Sequence, residues 1–248
     1  TRLDCVLGSA ATVRAALTQA LHHARHRRAF GALLVDQPLM QNVLADLAVE
    51  SEAATALAIR LAAALDAGES AFLRLAGAAA KFWVCKRTPG VVAEAMEVLG
   101  GNGYVEDSGL PRLYRQAPLN SIWEGSGNVN ALDVVRALTR EPASLAALGK
   151  ELALARGHDP VLDAAIDGCE SAGALALGPD APWGARRLVE RLALTLQAAL
   201  LVRHSPGPVA EAFVVSRLGG ERGGTFGTLG DSIGPDAVSL ILERALPA

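Results

Sequence analysis

The chain has 248 residues, 51% apolar and 4% aromatic, and alanine, leucine and glycine dominate, which favours helices packed through small side chains. A formal net charge of −3 provides no overall attraction to nucleic acid or to an anionic membrane. Three widely spaced cysteines exclude a disulfide framework, and no apolar run reaches the ~18 residues of a membrane span, so a cytoplasmic location is predicted.

Four segments with helical apolar spacing predict the long helices of the first part of the chain. The first ends in arginines and histidines before Phe30-Gly31, a common helix end because cations suit the negative end of the helix dipole. Pro89 is expected either to kink the third segment or to split it in two. The segments cover residues 3–24, 40–65, 72–99 and 129–138. They predict an all-α antiparallel four-helix bundle over residues 1–139.

Residues 100–127 interrupt this pattern. They are rich in glycine, proline and asparagine, and they hold both tyrosines and one of the three tryptophans. A loop of this length inside a helical domain usually has a function. The sequence therefore places the candidate site in this loop.

Shorter helical patterns after Glu141-Pro142 predict a smaller helical extension over residues 140–248. Its predicted helices lie at residues 143–156, 160–176, 184–204, 207–218 and 235–246. Its 10 lysines and arginines against 13 aspartates and glutamates make a charge of −3, which disfavours binding to DNA phosphates. A basic face remains as an alternative DNA contact, formed by Arg186, Arg187, Arg191 and Arg203.

Glu124 is the candidate catalytic residue because it follows Trp123 at the end of the irregular loop, just before a helix. A carboxylate that is desolvated against an indole has a raised pKa and can act as a general base. The alternative is local structure: Ser126 or Asn128 caps the next helix, and Glu124 only complements its positive end.

Two further segments could contact a ligand. Gly100 and Gly101 follow a helix, where glycine lets backbone amides approach a ligand closely, although helix termination is the favoured explanation for this segment taken alone. Arg27 and Phe30 could bind a pyrophosphate and pack on a ring, or they could simply end a helix. His22 and His26 have no evident third ligand, so no metal site is predicted.

The three segments, taken in order and at their spacing, resemble the acyl-CoA dehydrogenase family. The motifs are Arg-x-x-Phe-Gly from Arg27, Leu-Gly-Gly-x-Gly-Tyr from Leu99, and aromatic-Glu-Gly-Ser from Trp123. Residues 94–101, 111–115 and 120–128 are most similar to the alkylation-response branch of the family. The resemblance is close over residues 1–139 and looser over the extension, which that branch also carries.

The resemblance implies an FAD-dependent enzyme that removes hydrogens from the α- and β-carbons of an acyl-CoA thioester. A base takes the α-proton, and hydride leaves the β-carbon for the flavin. Glu124 matches that base, and its backbone N–H matches a donor to the thioester carbonyl, which stabilises charge that develops during the reaction.

The resemblance also implies roles for other positions. Arg2, Trp123 and Gly125 match positions on the substrate side. Arg27 and Phe30 match contacts to the FAD of a neighbouring subunit, which implies a homodimer or homotetramer. The remaining implied cofactor contacts are Gln37, Glu97, Gly100, Gly101, Ser126 and Asn128.

The N-terminal helical domain and the middle β-domain of the family are absent from this chain. The chain also begins inside a helical pattern without a capping residue, so it is expected to be a fragment of a longer protein. The fragment alone is expected to bind FAD poorly and to be inactive. In the alkylation-response branch the extension is associated with DNA, so a nucleic-acid-binding module is the alternative function, and the electron acceptor stays unknown.

Overall fold

The computed structural model describes residues 1–171, 174, 176, 178–221 and 223–246. In this part of the chain the structure is all-α, as predicted, apart from one short hairpin. No helix in these ranges is long and apolar enough to cross a membrane. The helices are α1 (Arg2–His26), α2 (Pro38–Asp66), α3 (Ser70–Val98), α4 (Gly101–Tyr104), α5 (Leu110–Gln116), α6 (Gly127–Arg140), α7 (Pro142–Ala153), α8 (Pro160–Glu170), α9 (Ala181–His204), α10 (Gly207–Phe213) and α11 (Pro235–Ala245).

Helices α1, α2, α3 and α6 form the predicted bundle, and each runs opposite to the one before it. Arg87 of α3 pairs with Glu50 early in α2, whereas Arg60 late in α2 lies over Phe72 at the start of α3. Small and branched side chains from all four helices fill the core, which lets the backbones pack closely.

Pro89 does not split the third segment. One helix runs from Ser70 to Val98 with Pro89 inside it. An interior proline removes one backbone hydrogen bond at a cost of about 3 kcal/mol. Val91 and Val92, which follow it, are fully buried, and burying each valine returns about 1.5–3 kcal/mol. Packing against the bundle therefore maintains the helix.

Residues 100–127 are more ordered than the irregular loop that the sequence predicts. It contains α4, α5 and a 3-10 turn at Leu119–Ser121. Leu110 and Pro111 are buried at the start of α5, where proline suits the first turn because its missing N–H needs no partner. Gly103 is required, since a Cβ there would lie 2.2 Å from the Met96 carbonyl oxygen.

The extension packs on the bundle through one continuous apolar core. Helix α9 lies against α2, α3 and α6. Buried Arg217 joins the extension to Asp46 and Glu50 of α2, and the Arg87 and Arg217 charges overcome the effect of burial and lower the pKa of Glu50 to about 2. Asn42 exchanges two hydrogen bonds with the Leu229 backbone, which holds the loop before α11 on α2.

The predicted extension helices are found with small differences. The segment predicted at 160–176 ends as α8 at Glu170, and residues 172, 173, 175 and 177 lie outside the described residues. The segment predicted at 207–218 begins as α10 and continues as a π-helix at Val214–Leu218. Arg222, in the loop predicted at 219–234, also lies outside the described residues.

Candidate functional site

Glu124 lies in a sharp turn between the 3-10 turn at Leu119–Ser121 and α6. Its φ of +55° is in the left-handed region, and Gly125 follows with a φ of +98°. Non-glycine residues adopt this region uncommonly, because Cβ crowds the backbone. The Glu124 side chain is exposed, and the Trp123 indole is 48% exposed. This chain alone therefore does not desolvate Glu124, contrary to the expectation from the sequence.

A buried lysine supports the turn through two hydrogen bonds. Lys81 of α3 is 1% exposed, and its ammonium donates to the Trp123 carbonyl at 2.8 Å and to the Gly125 carbonyl. Asn130 of α6 also donates to the Gly125 carbonyl, and to the Ser126 carbonyl at 3.1 Å. These bonds hold the carbonyl groups of the residues before and after Glu124.

A chain of hydrogen bonds links the indole to the bundle interior. Trp123 Nε1 donates to Asn120 Oδ1 at 3.0 Å, and Asn120 Nδ2 donates to Ser9 Oγ of α1 at 3.1 Å. Ser9 Oγ donates to the buried Cys85 Sγ at 3.3 Å, and burial raises the pKa of this thiol to about 11. Cys85 is therefore an inert thiol, and the chain serves to orient Trp123.

Arg2 takes part in an ion-pair cluster around Asp133. The nearly buried Asp133 accepts from Arg2 at 2.6 Å and from Arg74 at 2.9 and 3.0 Å. Burial by itself would raise the pKa of Asp133, but the two guanidinium groups outweigh it and hold the pKa below its usual range. This cluster joins the starts of α1 and α3 to α6, the helix that follows the turn.

The capping alternative does not describe the turn. Ser126 occupies the N-cap position of α6, but its side chain makes no capping hydrogen bond. Asn128 accepts from Arg186 Nε of α9 at 2.9 Å, so its side-chain oxygen contacts the extension. Asn128 was expected at the cofactor; here it joins α6 to α9.

Arg27 and Phe30 lie in a different part of the molecule. Phe30 and Gly31 form a two-residue turn, with φ values of +53° and +86°, that joins the antiparallel strands β1 (Arg28–Ala29) and β2 (Ala32–Leu33). Phe30 is 97% exposed at the tip. Gln37 Nε2 donates to the Ala29 carbonyl at 2.9 Å and so supports the hairpin.

Gly100 and Gly101 lie at the same end of the bundle, because α1 and α3 run parallel. Gly100 has a φ of +59°, and a Cβ on either glycine would meet no atom within 4 Å, so their backbone is open to a ligand. Glu97 is exposed on the preceding turn. Burial, followed by the neighbouring Glu97 and Asp46 charges, raises the pKa of Glu94, so three carboxyl groups lie near one another on this side of the α3 end.

The predicted residues therefore form two groups. Glu124, Trp123, Gly125 and Ser126 share one turn, which is joined through Asn120 to Ser9 of α1. Arg27 is 18 residues further along α1 than Ser9, about 27 Å at 1.5 Å per residue. One chain does not bring the proposed base and the Arg27–Phe30 group together.

Sequence reasoning missed the residues that hold the turn: Lys81, Asn120, Asn130 and Asp133. One signal was available for Lys81, the only charge in the apolar run 75–85, at a position on the buried face of the predicted helix. Asn120 and Asn130 carried no comparable signal, because asparagine near a turn is common.

The arginines of the extension are largely engaged within the chain. Arg203 pairs with Glu151, Arg217 with Asp46, and Arg244 with Glu52. Arg186 of the predicted basic face binds Asn128. These contacts reduce the number of cations that could neutralise DNA phosphates.

Comparison with known proteins identifies relatives over most of the chain. The family model described as "Acyl-CoA dehydrogenase, C-terminal domain" matches residues 1–139. AidB of Escherichia coli (strain K12) is 43% identical over 217 residues, which cover 86% of this chain and 39% of AidB. Acyl-CoA dehydrogenase family member 11 of Caenorhabditis elegans is 33% identical over 171 residues, 66% of this chain and 28% of that protein.

A solved structure agrees with the fold. Caenorhabditis elegans ACDH-11 in complex with C11-CoA has a TM-score of 0.71 at 26% identity, over 98% of this chain and 42% of that one. The chain thus spans about two fifths or less of the length of these relatives.

Proposed function

Because this chain belongs to the acyl-CoA dehydrogenase family, we propose that it is the C-terminal part of an FAD-dependent enzyme that dehydrogenates an acyl-CoA thioester between its α- and β-carbons. The likeness to AidB confirms the resemblance to the alkylation-response branch. The N-terminal helical and middle β-domains of the enzyme lie outside this chain in the proposal, which agrees with the 39% of AidB that it covers.

Glu124 is the proposed α-proton base. The proposal rests on the geometry of the turn that contains Glu124. The Glu124 side chain is exposed, while hydrogen bonds from Lys81 and Asn130 fix the backbone on both sides of it. Within the described residues, no backbone acceptor takes the Glu124 N–H, which leaves it available to a thioester carbonyl. A fixed donor aimed at developing negative charge favours loss of the α-proton.

The end of the bundle that carries Arg27, Phe30 and the two glycines fits an FAD contact. Arg27 is exposed, and no carboxylate among the described residues pairs with it, so its guanidinium is available to a pyrophosphate. Phe30 offers an exposed ring, and Gly100 and Gly101 offer open backbone. Glu97 fits poorly, because it and Glu94 form an anionic surface. When bound, FAD would accept the hydride from the substrate β-carbon.

A homodimer or homotetramer follows from the proposal. Arg27 lies about 27 Å along α1 from the residue that contacts the Glu124 loop, so one FAD would meet Glu124 of one subunit and Arg27 of its neighbour. The acyl-CoA substrate would be covered by domains outside this chain, which would also exclude water from Glu124.

The test uses the full-length protein loaded with FAD and a panel of acyl-CoA thioesters. Glu124→Gln keeps the size of the side chain but cannot accept the proton, so exchange of the α-proton with deuterated solvent should fall by about 10³-fold or more while FAD stays bound. Glu106→Gln is the matched control, because Glu106 is an exposed glutamate of the same stretch, paired with Arg115. Normal exchange by the Glu124 variant would refute the proposal.

A further inference from the structure

Lys81 is a buried cation without a carboxylate partner. It is 1% exposed, and the described part of the chain places no carboxylate within ion-pairing distance of it. Burial lowers the pKa of Lys81, because the charged form loses solvent. Taking an ammonium group out of water is costly unless hydrogen bonds compensate, and here the compensation comes from the Trp123 and Gly125 carbonyls.

Those two carbonyls belong to the residues on either side of Glu124. Glu124 and Gly125 are consecutive left-handed residues, with φ values of +55° and +98°. Such a conformation at a glutamate persists only where the surroundings impose it. Lys81 is the one residue in the described structure that donates to the carbonyls of both residues flanking Glu124, since Asn130 reaches only the Gly125 side.

We propose that Lys81 is a positioning residue of this site, which fixes the backbone around Glu124 through its hydrogen bonds to the Trp123 and Gly125 carbonyls. The inference rests on the proposed role of Glu124 as base. It assigns the geometry of the turn to one buried side chain.

The test compares Lys81→Met with wild type in the FAD-loaded full-length protein. Methionine fills a similar volume without charge or donor. The rate of α-proton exchange should fall roughly 100-fold, the loss that about 1 Å of misplacement produces, with the KM for acyl-CoA changed less than kcat. Lys81→Gln keeps a hydrogen-bond donor and should recover part of the lost rate. Lys150→Met, at an exposed lysine of α7, should match wild type.

A second variant removes the other hydrogen bonds to the turn. Asn130→Ala removes the donors to the Gly125 and Ser126 carbonyls but leaves the Lys81 bond to the Trp123 carbonyl, so it should slow exchange less than Lys81→Met does. If Lys81→Met fails to load FAD, Lys81→Gln takes its place and should still exchange the α-proton more slowly than wild type.

The outcomes distinguish the two proposals. A normal exchange rate in the Lys81 variants, or a KM for acyl-CoA that rises by as much as kcat falls, would overturn the positioning role. A wild-type protein without Glu124-dependent exchange would overturn the proposed function itself.

Discussion

Two turns of this molecule share one backbone geometry and differ in what holds them. Phe30-Gly31 has φ values of +53° and +86°, and Glu124-Gly125 has +55° and +98°. In each turn the first residue is an exposed candidate site residue that is not glycine. The Phe30 turn is held locally, by the β1–β2 ladder and by Gln37.

The Glu124 turn has no strands to support it. Its bonds come from Lys81, 43 positions earlier in the chain, and from Asn130 of the next helix. The side-chain support of the Phe30 turn comes from Gln37, eight positions from Ala29, whereas the support of the Glu124 turn requires α3 and α6 to be packed together. The proposed base is therefore positioned by the bundle core, and the Phe30 ring by its immediate neighbours.

The largest expected effect comes from adding a methyl group to the glycine of each turn, Gly125 or Gly31. Gly125→Ala should lower the free energy of unfolding by about 3 kcal/mol, since about 1–2 kcal/mol comes from the left-handed backbone and the rest from crowding. Its Cβ would lie 3.1 Å from Asn130 Nδ2 and 3.2 Å from Val129 Cγ1. Gly31→Ala meets no atom within 4 Å and should cost only about 1 kcal/mol. Urea unfolding of the chain measures both, and equal losses would contradict the comparison.

A smaller effect is expected when the pH is lowered, because the ion-pair cluster around Asp133 secures α6 beside the Glu124 turn. The pKa of Asp133 is lowered in the folded chain, so its stabilisation is complete above the usual carboxyl pKa and is lost as pH falls through the folded value. Hydrogen exchange of residues 119–133, corrected for intrinsic rates, should therefore accelerate between about pH 5 and pH 3 relative to residues 28–37. In Asp133→Asn, hydrogen exchange of residues 119–133 should depend little on pH in this range. If residues 119–133 and 28–37 accelerate in parallel in the wild type, the ion-pair cluster does not secure the Glu124 turn selectively.

The smallest expected effect is a gain at the hairpin. Phe30→Asn places a residue that tolerates the left-handed region at an exposed position, so it should raise the free energy of unfolding by about 0.5 kcal/mol. The same replacement at Glu124 should give no larger gain, because Lys81 and Asn130 already impose that conformation. Thermal unfolding of the two variants compares them, and a loss of stability in Phe30→Asn would show that the ring packs within the chain.

The bundle was predictable because its information is local and periodic. The four long segments, the polar Gly- and Pro-rich stretch and the shorter helices of the extension were all visible as apolar spacing. The continuity of α3 through Pro89 was not, because it depends on how deeply Val91 and Val92 are buried in a core formed by other helices.

The residues of the candidate site divide in the same way. Glu124, Arg27, Phe30 and the glycines were recognisable as motifs, since their residue types and spacing lie within short segments. The role of Asn128 was not, because its partner Arg186 is 58 positions away. The chain by itself determined its helices and the chemistry carried on its loops. Only the tertiary structure decided which buried cation reaches the turn, because hydrogen-bond partners far apart in sequence are set by helix packing.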